Sequence, residues 1–331
     1  MDDEAAMSRA LELAASVRAS AHPNPWVGAV IVSTGATFEG ATEPVGGRHA
    51  EAVALDAFEA AAGGAGEGTT LYVTLEPCWE WDGKRTPSCA KAVVAAGIDR
   101  VVVAMEDPDE RVRGRGVAAL REAGVEVEVG LLEEEARRLL RPYVHHRTTG
   151  RPFVVLKLAA SLDGRTAAPD GSSQWITGEA ARADAHRLRA ESDAILVGAG
   201  TVRADDPSLT VRAVEGRDPR RIVLGRAPGG AKVHPCDEMS GDLAEILDRL
   251  GGDGVVQLMV EGGASVAGEF HRRGLVDRYV VYVAPVLFGG DDARGMFSGR
   301  GALTIDDVFR GRIVAVEHLG DDIRIDLERA A

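Results

Sequence analysis

Between His49 and Cys89 the chain gathers one histidine, two cysteines and a glutamate: His49-Ala50-Glu51, then Leu75-Glu76-Pro77-Cys78, then Ser88-Cys89. One imidazole and two thiolates suit Zn²⁺, and three protein ligands leave its fourth position to water. Metal lowers the pKa of such a water toward ~7, so a nucleophile is available at neutral pH. Glu51 stands two residues from His49, close enough to carry a proton without ligating. A lone His or Cys is more often a core residue, so placement decides. His49 precedes an Ala-rich helical run, Ala50 to Ala62, and Pro77-Cys78 follows the strand-like Thr70 to Leu75. Both fall at strand–helix junctions, where chemistry collects in α/β folds. His49, Cys78 and Cys89 are therefore expected as zinc ligands and Glu51 as the proton carrier.

The elements that must position these residues alternate in type. Met7, Ala10, Leu11, Ala14 and Val17 recur at helical steps and predict a helix over Ala5 to Ala19. His22-Pro23-Asn24-Pro25 stops it. Asn24 then precedes a strand, Val27 to Val32, and is either a plain turn residue or an amide facing a base edge. Further strands are expected at 100–104 and 125–129. Helices are expected at 90–96, 116–123 and 133–140, the first carrying Cys89 where the helix dipole favours a thiolate. Residues 145–150, His145-His146-Arg147-Thr148-Thr149-Gly150, have no apolar period and are expected to form a linker. The first domain is placed at 1–146 and the second at 151–331.

At 331 residues and 45% hydrophobic content the chain can bury two cores. No run reaches the ~18 apolar residues of a membrane helix, and the acidic start, Met1-Asp2-Asp3-Glu4, is wrong for a secretory signal. Three cysteines, two engaged by metal and Cys236 left as a plain thiol, argue against disulfides and for a reducing cytosol. A net charge of −14 with dispersed arginines and few lysines excludes a nucleic-acid binder with a basic stripe. A small free substrate is expected instead.

The second half again alternates: strands at 153–159, 193–197, 221–224, 255–260 and 278–283, helices at 179–190, 243–250 and 266–272. Two late strands, 312–317 and 323–327, are expected to be antiparallel. Two Gly-rich segments follow apolar strands, Gly198-Ala199-Gly200-Thr201 and Glu261-Gly262-Gly263-Ala264-Ser265. Neither completes G-x-G-x-x-G, so each is a phosphate-approach loop or a tight turn. Asp205-Asp206-Pro207 suits a helix cap, a ribose or a cation.

The pattern H-x-E with P-C and a later Cys is that of zinc nucleobase deaminases. Together with Asn24-Pro25-Trp26-Val27-Gly28, Gly46-Gly47-Arg48 and Thr74-Leu75-Glu76-Pro77-Cys78, the first half resembles the deaminase half of the bifunctional riboflavin-biosynthesis deaminase–reductases. The segments from Lys157 to Thr166, Ser173 to Thr177, Thr201 to Pro207, Leu209 to Arg212 and Glu261 to Gly263 resemble the reductase half. The resemblance spans nearly the whole chain. It implies a cytidine-deaminase-like three-layer α/β domain followed by a dihydrofolate-reductase-like α/β domain, a small phosphoribosylaminopyrimidine substrate, Zn²⁺ and NADPH as cofactors, and self-association. It also implies residue roles. Ala160, Trp175, Thr201, Asp205, Gly263, Ala264 and Ser265 match cofactor positions. Asn24, Lys157, Ser173, Arg189, Leu209, Arg212 and Glu261 match substrate positions. Two arginines beside a ribose phosphate make chemical sense, since guanidinium pairs with phosphate in bidentate fashion.

The chain departs from the family in one loop. The family reads Cys-x-His-x-Gly-Arg/Lys-Thr-Pro-Pro-Cys. Here the loop is two residues longer, Glu80 or Trp81 falls where His is expected, and Ser88 replaces the second Pro. The added Trp residues and the acidic Glu80 and Asp82 alter the pocket wall. That leaves open a paralogue of the same build acting on a different aminopyrimidine or related ring.

Overall fold

The computed structural model describes residues 1–62, 68–80 and 87–329. The chain divides into two compact units, Met1–Gly150 and Arg151–Ala331.

The first unit contains α1 (Asp3–Ser16), β1 (Gly28–Ser33), β2 (Ala36–Ala41), α2 (Ala50–Ala62), β3 (Thr70–Val73), α3 (Cys89–Ala95), β4 (Arg100–Val103), α4 (Arg115–Glu122), β5 (Glu126–Val129), α5 (Glu133–Leu139) and α6 (Arg141–Thr149). Its sheet has the order β2-β1-β3-β4-β5. β1 is antiparallel to both neighbours, while β3, β4 and β5 run parallel. Two glycines show why helices cover both faces. Gly28 neighbours Ala29, which is the cross-strand partner of Gly40, so Gly28 and Gly40 face opposite sides of the sheet. A Cβ on Gly28 would strike the backbone of Ala10 in α1, and one on Gly40 would strike Ala50 and Ala54 of α2. α3 and α4 continue the α2 layer, and α5 and α6 pack from α1. The result is the three-layer arrangement expected.

Two differences from the sequence reading stand out here. β2 lies outside the strands expected from the sequence, because its alternation, Ala36-Thr37-Phe38-Glu39, is short and ends at Gly40. Residues 145–150 are not a linker: they complete α6, which ends on Gly150 in the left-handed conformation (φ 73°). Tyr143 and His146 are buried, so a helix with only one apolar stripe is stabilised by packing that composition does not reveal. The first unit therefore runs through Gly150 and does not stop at 146.

The second unit contains β6 (Phe153–Ser161), β7 (Arg165–Ala167), α7 (Glu179–Ala190), β8 (Ala194–Gly198), α8 (Ala199–Asp205), β9 (Arg220–Leu224), β10 (Asp237–Met239), α9 (Leu243–Gly252), β11 (Gln257–Val260), α10 (Ala264–Arg272), β12 (Arg278–Ala284), β13 (Arg294–Gly295), β14 (Gly311–Leu319) and β15 (Asp322–Arg329). The main sheet has the order β10-β9-β8-β11-β6-β12-β15-β14, and β13 pairs with β7 apart from it. Strands β10 to β12 in that order are parallel, and β15 is antiparallel to β12 and β14. Val154 and Leu156 face a core with Ile246, Leu250 and Phe270, whereas Phe153 and Val155 face one with Ala181, Ala185 and Leu188. Burial on both faces explains why β6, β8 and β11 read as unbroken apolar runs. β15 inverts the usual rule. Asp322, Arg324, Asp326 and Glu328 are its buried residues. Arg324 satisfies Asp326 and Asp184, and Arg278 satisfies Glu328, so the buried charges are paired.

Candidate metal centre and a charged cluster in the second unit

In the first unit the zinc donors converge. His49 Nδ1 lies 3.5 Å from Cys78 Sγ and 3.3 Å from Cys89 Sγ, and the two sulfurs are 3.3 Å apart. With Zn–S near ~2.3 Å and Zn–N near ~2.0 Å, a tetrahedral site has ligand–ligand edges of about 3.5–3.8 Å. The three atoms thus form one near-tetrahedral face that fits zinc. They are also the one group of three or more His, Cys, Asp or Glu side chains, among the described residues, able to share an ion.

Each donor is set by a local device. His49 directly precedes α2, and Glu51 lies in the first turn of that helix, buried. Burial pushes the Glu51 carboxyl up to about 7, a negative Cys78 adds to this, and His49 opposes it. Such a group suits both taking and giving a proton near neutrality. Cys78 follows β3 through Glu76-Pro77. The buried Glu76 carboxylate accepts four backbone N–H groups, from Asp107 (3.2 Å), Gly114 (2.9 Å), Gly116 (2.9 Å) and Val117 (3.1 Å). It thereby anchors the Cys78 segment to the start of α4. Gly116 permits the contact, since an added Cβ would lie 1.9 Å from the Pro77 carbonyl oxygen. Cys89 opens α3. Ser88 Oγ caps that helix by accepting the Lys91 N–H (3.3 Å) and donates to the Cys78 carbonyl (3.1 Å).

The altered loop is partly visible. Lys91 pairs with Glu80 (2.7 Å) and stands over the Trp79 ring (5.4 Å). Trp81 and Asp82 lie outside the described residues. Asn24 occupies a half-buried turn after α1, its N–H donating to the Ala21 carbonyl (3.1 Å). Thr42 Oγ1 ties this turn to the end of β2 by accepting the Val27 N–H (3.1 Å) and donating to the Pro25 carbonyl (3.2 Å).

In the second unit, Lys157 from β6, Arg189 from α7 and Glu261 after β11 meet. Lys157 Nζ is 3.2 Å and Arg189 Nη2 2.8 Å from the Glu261 carboxylate. Burial alone would raise Glu261, but the two cations outweigh it and hold the carboxyl down to about 2. Arg189 Nη1 also donates to the Thr210 carbonyl (2.8 Å), and Arg212 donates to Thr210 Oγ1 (2.6 Å). Arg212 is exposed and Arg189 is buried, so the two arginines expected beside a ribose phosphate lie at different depths. Leu209 cannot offer its side chain to a ligand. It is buried in the α7-side core with φ +54°, leaving only its backbone.

The two Gly-rich segments also meet: the Gly263 N–H donates to Thr201 Oγ1 (3.2 Å). The first is no loop, because β8 runs straight into α8. Asp205 closes α8, and Asp206 pairs with Lys232. Gly263 caps α10, whose first turn carries Ala264 and Ser265, with Ser265 against Ser298 (3.1 Å). Ala160 is buried within β6. Ser173 and Trp175 precede α7, Trp175 being 69% exposed with the Arg182 guanidinium 4.7 Å above its ring.

Sequence reasoning missed several supporting residues. Glu76 and Ser88 stand in the cysteine motifs, but the sequence assigns neither a supporting role. His186, whose Nδ1 accepts the Arg212 N–H (3.2 Å), lies three residues before Arg189 on one helix face, a spacing that could have found it. Burial and the nearby Arg189 and Arg212 lower its pKa. Behind Lys157, Tyr282 donates to Asp184 (2.7 Å), which Arg324 also holds (2.9 Å).

Comparison with known proteins bears on both units. Residues 1–105 match the family model described as the cytidine and deoxycytidylate deaminase zinc-binding region, and residues 152–325 match the RibD C-terminal domain. The chain is 39% identical to the riboflavin biosynthesis protein RibD of Escherichia coli K12, covering 99% of each. It is 41% identical to RibD of Mycobacterium tuberculosis H37Rv, over 97% of this chain and 96% of that one. Among solved structures, RibD of Acinetobacter baumannii (form 1) has a TM-score of 0.91 at 38% identity, covering 99% of each chain. A Thermotoga maritima diaminohydroxyphosphoribosylaminopyrimidine deaminase/5-amino-6-(5-phosphoribosylamino)uracil reductase has 0.90 at 33%, covering 99% of this chain and 98% of its own. A zinc-binding deaminase unit and a reductase unit, joined in the same order over the same length, place this chain in the RibD family of bifunctional deaminase–reductases of riboflavin biosynthesis.

Proposed function

We propose that the first unit deaminates 2,5-diamino-6-(5-phosphoribosylamino)pyrimidin-4-one to its uracil counterpart, and that the second reduces the ribosyl group of that product to ribityl with NADPH. The convergence of His49 Nδ1, Cys78 Sγ and Cys89 Sγ beside the buried Glu51 carries the first half of this reading.

His49, Cys78 and Cys89 hold the metal, which when bound supplies an activated water at neutral pH. Glu51 would take a proton from the water that adds to the amine-bearing ring carbon. It gives the proton to the ring nitrogen and assists departure of ammonia. Asn24 contributes an amide to the edge of the ring. In the second unit NADPH supplies the hydride. Thr201, Asp205, the Gly263–Ser265 turn, Ala160 and Trp175 would hold the cofactor. Arg212 meets the substrate phosphate from the exposed side. Arg189 supports it through Thr210 and orients Glu261, while Lys157 and Glu261 hold the sugar. Ser173 and the Leu209 backbone complete the substrate contacts.

Self-association and a cytoplasmic location are part of the same proposal. Ile313 and Val316 of β14, the edge strand, are 58% and 57% exposed, an apolar border suited to a second copy. No helix among the described residues is long and apolar enough to cross a membrane.

The test is to supply the phosphoribosylaminopyrimidine and follow ammonia release and NADPH oxidation separately. Both occurring in sequence supports the proposal. The longer metal loop favours one rival, a paralogue for another aminopyrimidine, and absence of ammonia release from this substrate would select it.

A further inference from the structure

We propose that His186 is a further substrate-binding residue of the second unit, its Nε2–H donating to the phosphate of the phosphoribosyl group beside Arg212. The inference rests on the reading of this unit as the reductase of a phosphorylated substrate and adds a residue to it.

The contacts of the ring fix where its hydrogen sits. His186 Nδ1 accepts the backbone N–H of Arg212 (3.2 Å). A ring nitrogen that accepts carries no hydrogen of its own, so the N–H of this imidazole is on Nε2. Nε2 has no hydrogen-bond partner among the described residues, and it is not one of the buried polar atoms left without one, so it opens to solvent. The side chain as a whole is half-buried. One nitrogen thus holds the ring in a single orientation, and the other presents one unused donor outward.

The segment that His186 holds is pinned at three consecutive residues. The Thr210 carbonyl accepts from Arg189 Nη1 (2.8 Å), the Val211 N–H donates to Asp218 (2.7 Å), and the Arg212 N–H donates to His186. Within the protein Arg212 uses only Nη1, which donates to Thr210 Oγ1 (2.6 Å) and to Ser208 Oγ. Its Nε and Nη2 have no partner among the described residues, and the residue is exposed. Those two nitrogens form one edge of the guanidinium, an edge that grips phosphate in bidentate fashion. His186 and Arg212 are therefore tied to each other through the backbone, and both keep donors in reserve.

Charge selects an anion for these donors. The chief charges acting on the imidazole are those of Arg189, Arg212 and Lys157, all positive, and Glu261, negative. Lys157 and Arg189 both pair with Glu261, so one carboxylate answers two buried or half-buried cations and Arg212 stays without an acid. A phosphate monoester, with a charge of about −1.5 to −2 at neutral pH, balances that excess. An uncharged imidazole beside the arginine adds a directed hydrogen bond to the anion without a further positive charge that would repel Arg212.

Asparagine and glutamine separate the two nitrogens. In His186→Asn the amide oxygen takes the place of Nδ1 and keeps the Arg212 N–H, but the outward donor is gone. In His186→Gln the amide nitrogen reaches the place of Nε2, and the acceptor is gone. The experiment follows NADPH oxidation by the full-length chain with 5-amino-6-(5-phosphoribosylamino)uracil and with the same compound lacking its phosphate. His186→Asn should raise KM for the phosphorylated compound about 10-fold, the low end for losing a hydrogen bond to a charged group. Its kcat should stay within about 2-fold, because a remote phosphate is bound equally before and during hydride transfer. His186→Gln should recover part of the loss. Neither variant should change KM for NADPH or the kinetics with the dephosphorylated compound. A wild-type KM in His186→Asn, with loss confined to His186→Gln, makes His186 a peg for the Arg212 backbone and overturns the assignment. An equal rise for both compounds overturns it too, since the phosphate is then not what His186 meets. A wild type that reduces neither compound overturns the reductase reading and this inference with it.

Discussion

The sulfurs of Cys78 and Cys89 lie 3.3 Å apart although ten residues separate them in the chain. The longer loop does not disturb the donor set because its ends are fixed independently of its length. Ser88, where the family has proline, both caps α3 and donates to the Cys78 carbonyl. Ser88→Ala should remove a cap worth about 0.5–2 kcal/mol. It should also loosen the Cys78 segment and weaken zinc binding roughly 10-fold, as loss of a group supporting a ligand does. Competition with a chromophoric chelator measures this. Zinc affinity equal to wild type would show that Ser88 does not hold the loop.

Glu51 is buried beside the donors without being one of them. Glu51→Gln should keep one zinc per chain and slow ammonia release by about 10²–10⁴-fold or more, since the carboxylate serves several transfers. NADPH oxidation on the deaminated intermediate should be unchanged. Metal analysis combined with steady-state assays of each half-reaction checks this, and rapid ammonia release by the variant would remove Glu51 from the mechanism.

Glu76 satisfies four backbone donors, three at the start of α4 and one at Asp107. Glu76→Ala leaves these groups without their acceptor next to a metal ligand. A loss on the order of 3 kcal/mol or more is expected in urea unfolding, with zinc retention falling in parallel. Glu76→Gln keeps one carbonyl acceptor and should lose less.

Much of this architecture was legible because the signals were local. His49 before an Ala-rich helix, Cys78 after a strand and Cys89 at a helix start each follow from neighbouring residues, and the helices Ala50–Ala62 and Glu179–Ala190 fall where their periodicity places them. What escaped depends on contacts between distant segments. α6 is helical because Tyr143 and His146 find a core, with the Tyr143 hydroxyl donating to Asp107 (3.1 Å). β2 is held by its pairing with β1, and its alternation over Ala36 to Glu39 is too short to mark it alone. The depth ordering of Arg189 and Arg212 is likewise set by Thr210 and Glu261, which no spacing along the chain reveals.

The Lys157–Glu261–Arg189 cluster predicts a pH dependence. Glu261 has its folded-state pKa lowered, from 4.5 to about 2, so its contribution is present above the unfolded value and is lost as pH falls through the folded one. The stability difference between wild type and Glu261→Gln should be full above pH ~4.5, at most about 3 kcal/mol, and should vanish toward pH ~2. Urea unfolding at a series of pH values reads this directly. A difference independent of pH would mean that Glu261 acts by packing and not by charge.

The central claim is that one imidazole and two thiolates hold a catalytic zinc that deaminates an aminopyrimidine. Ammonia release from 2,5-diamino-6-(5-phosphoribosylamino)pyrimidin-4-one, measured on the same preparation before chelation, after it and after zinc is returned, tests it most directly. Loss on chelation and recovery at one zinc per chain is the result predicted. Undiminished release by metal-free protein would contradict it.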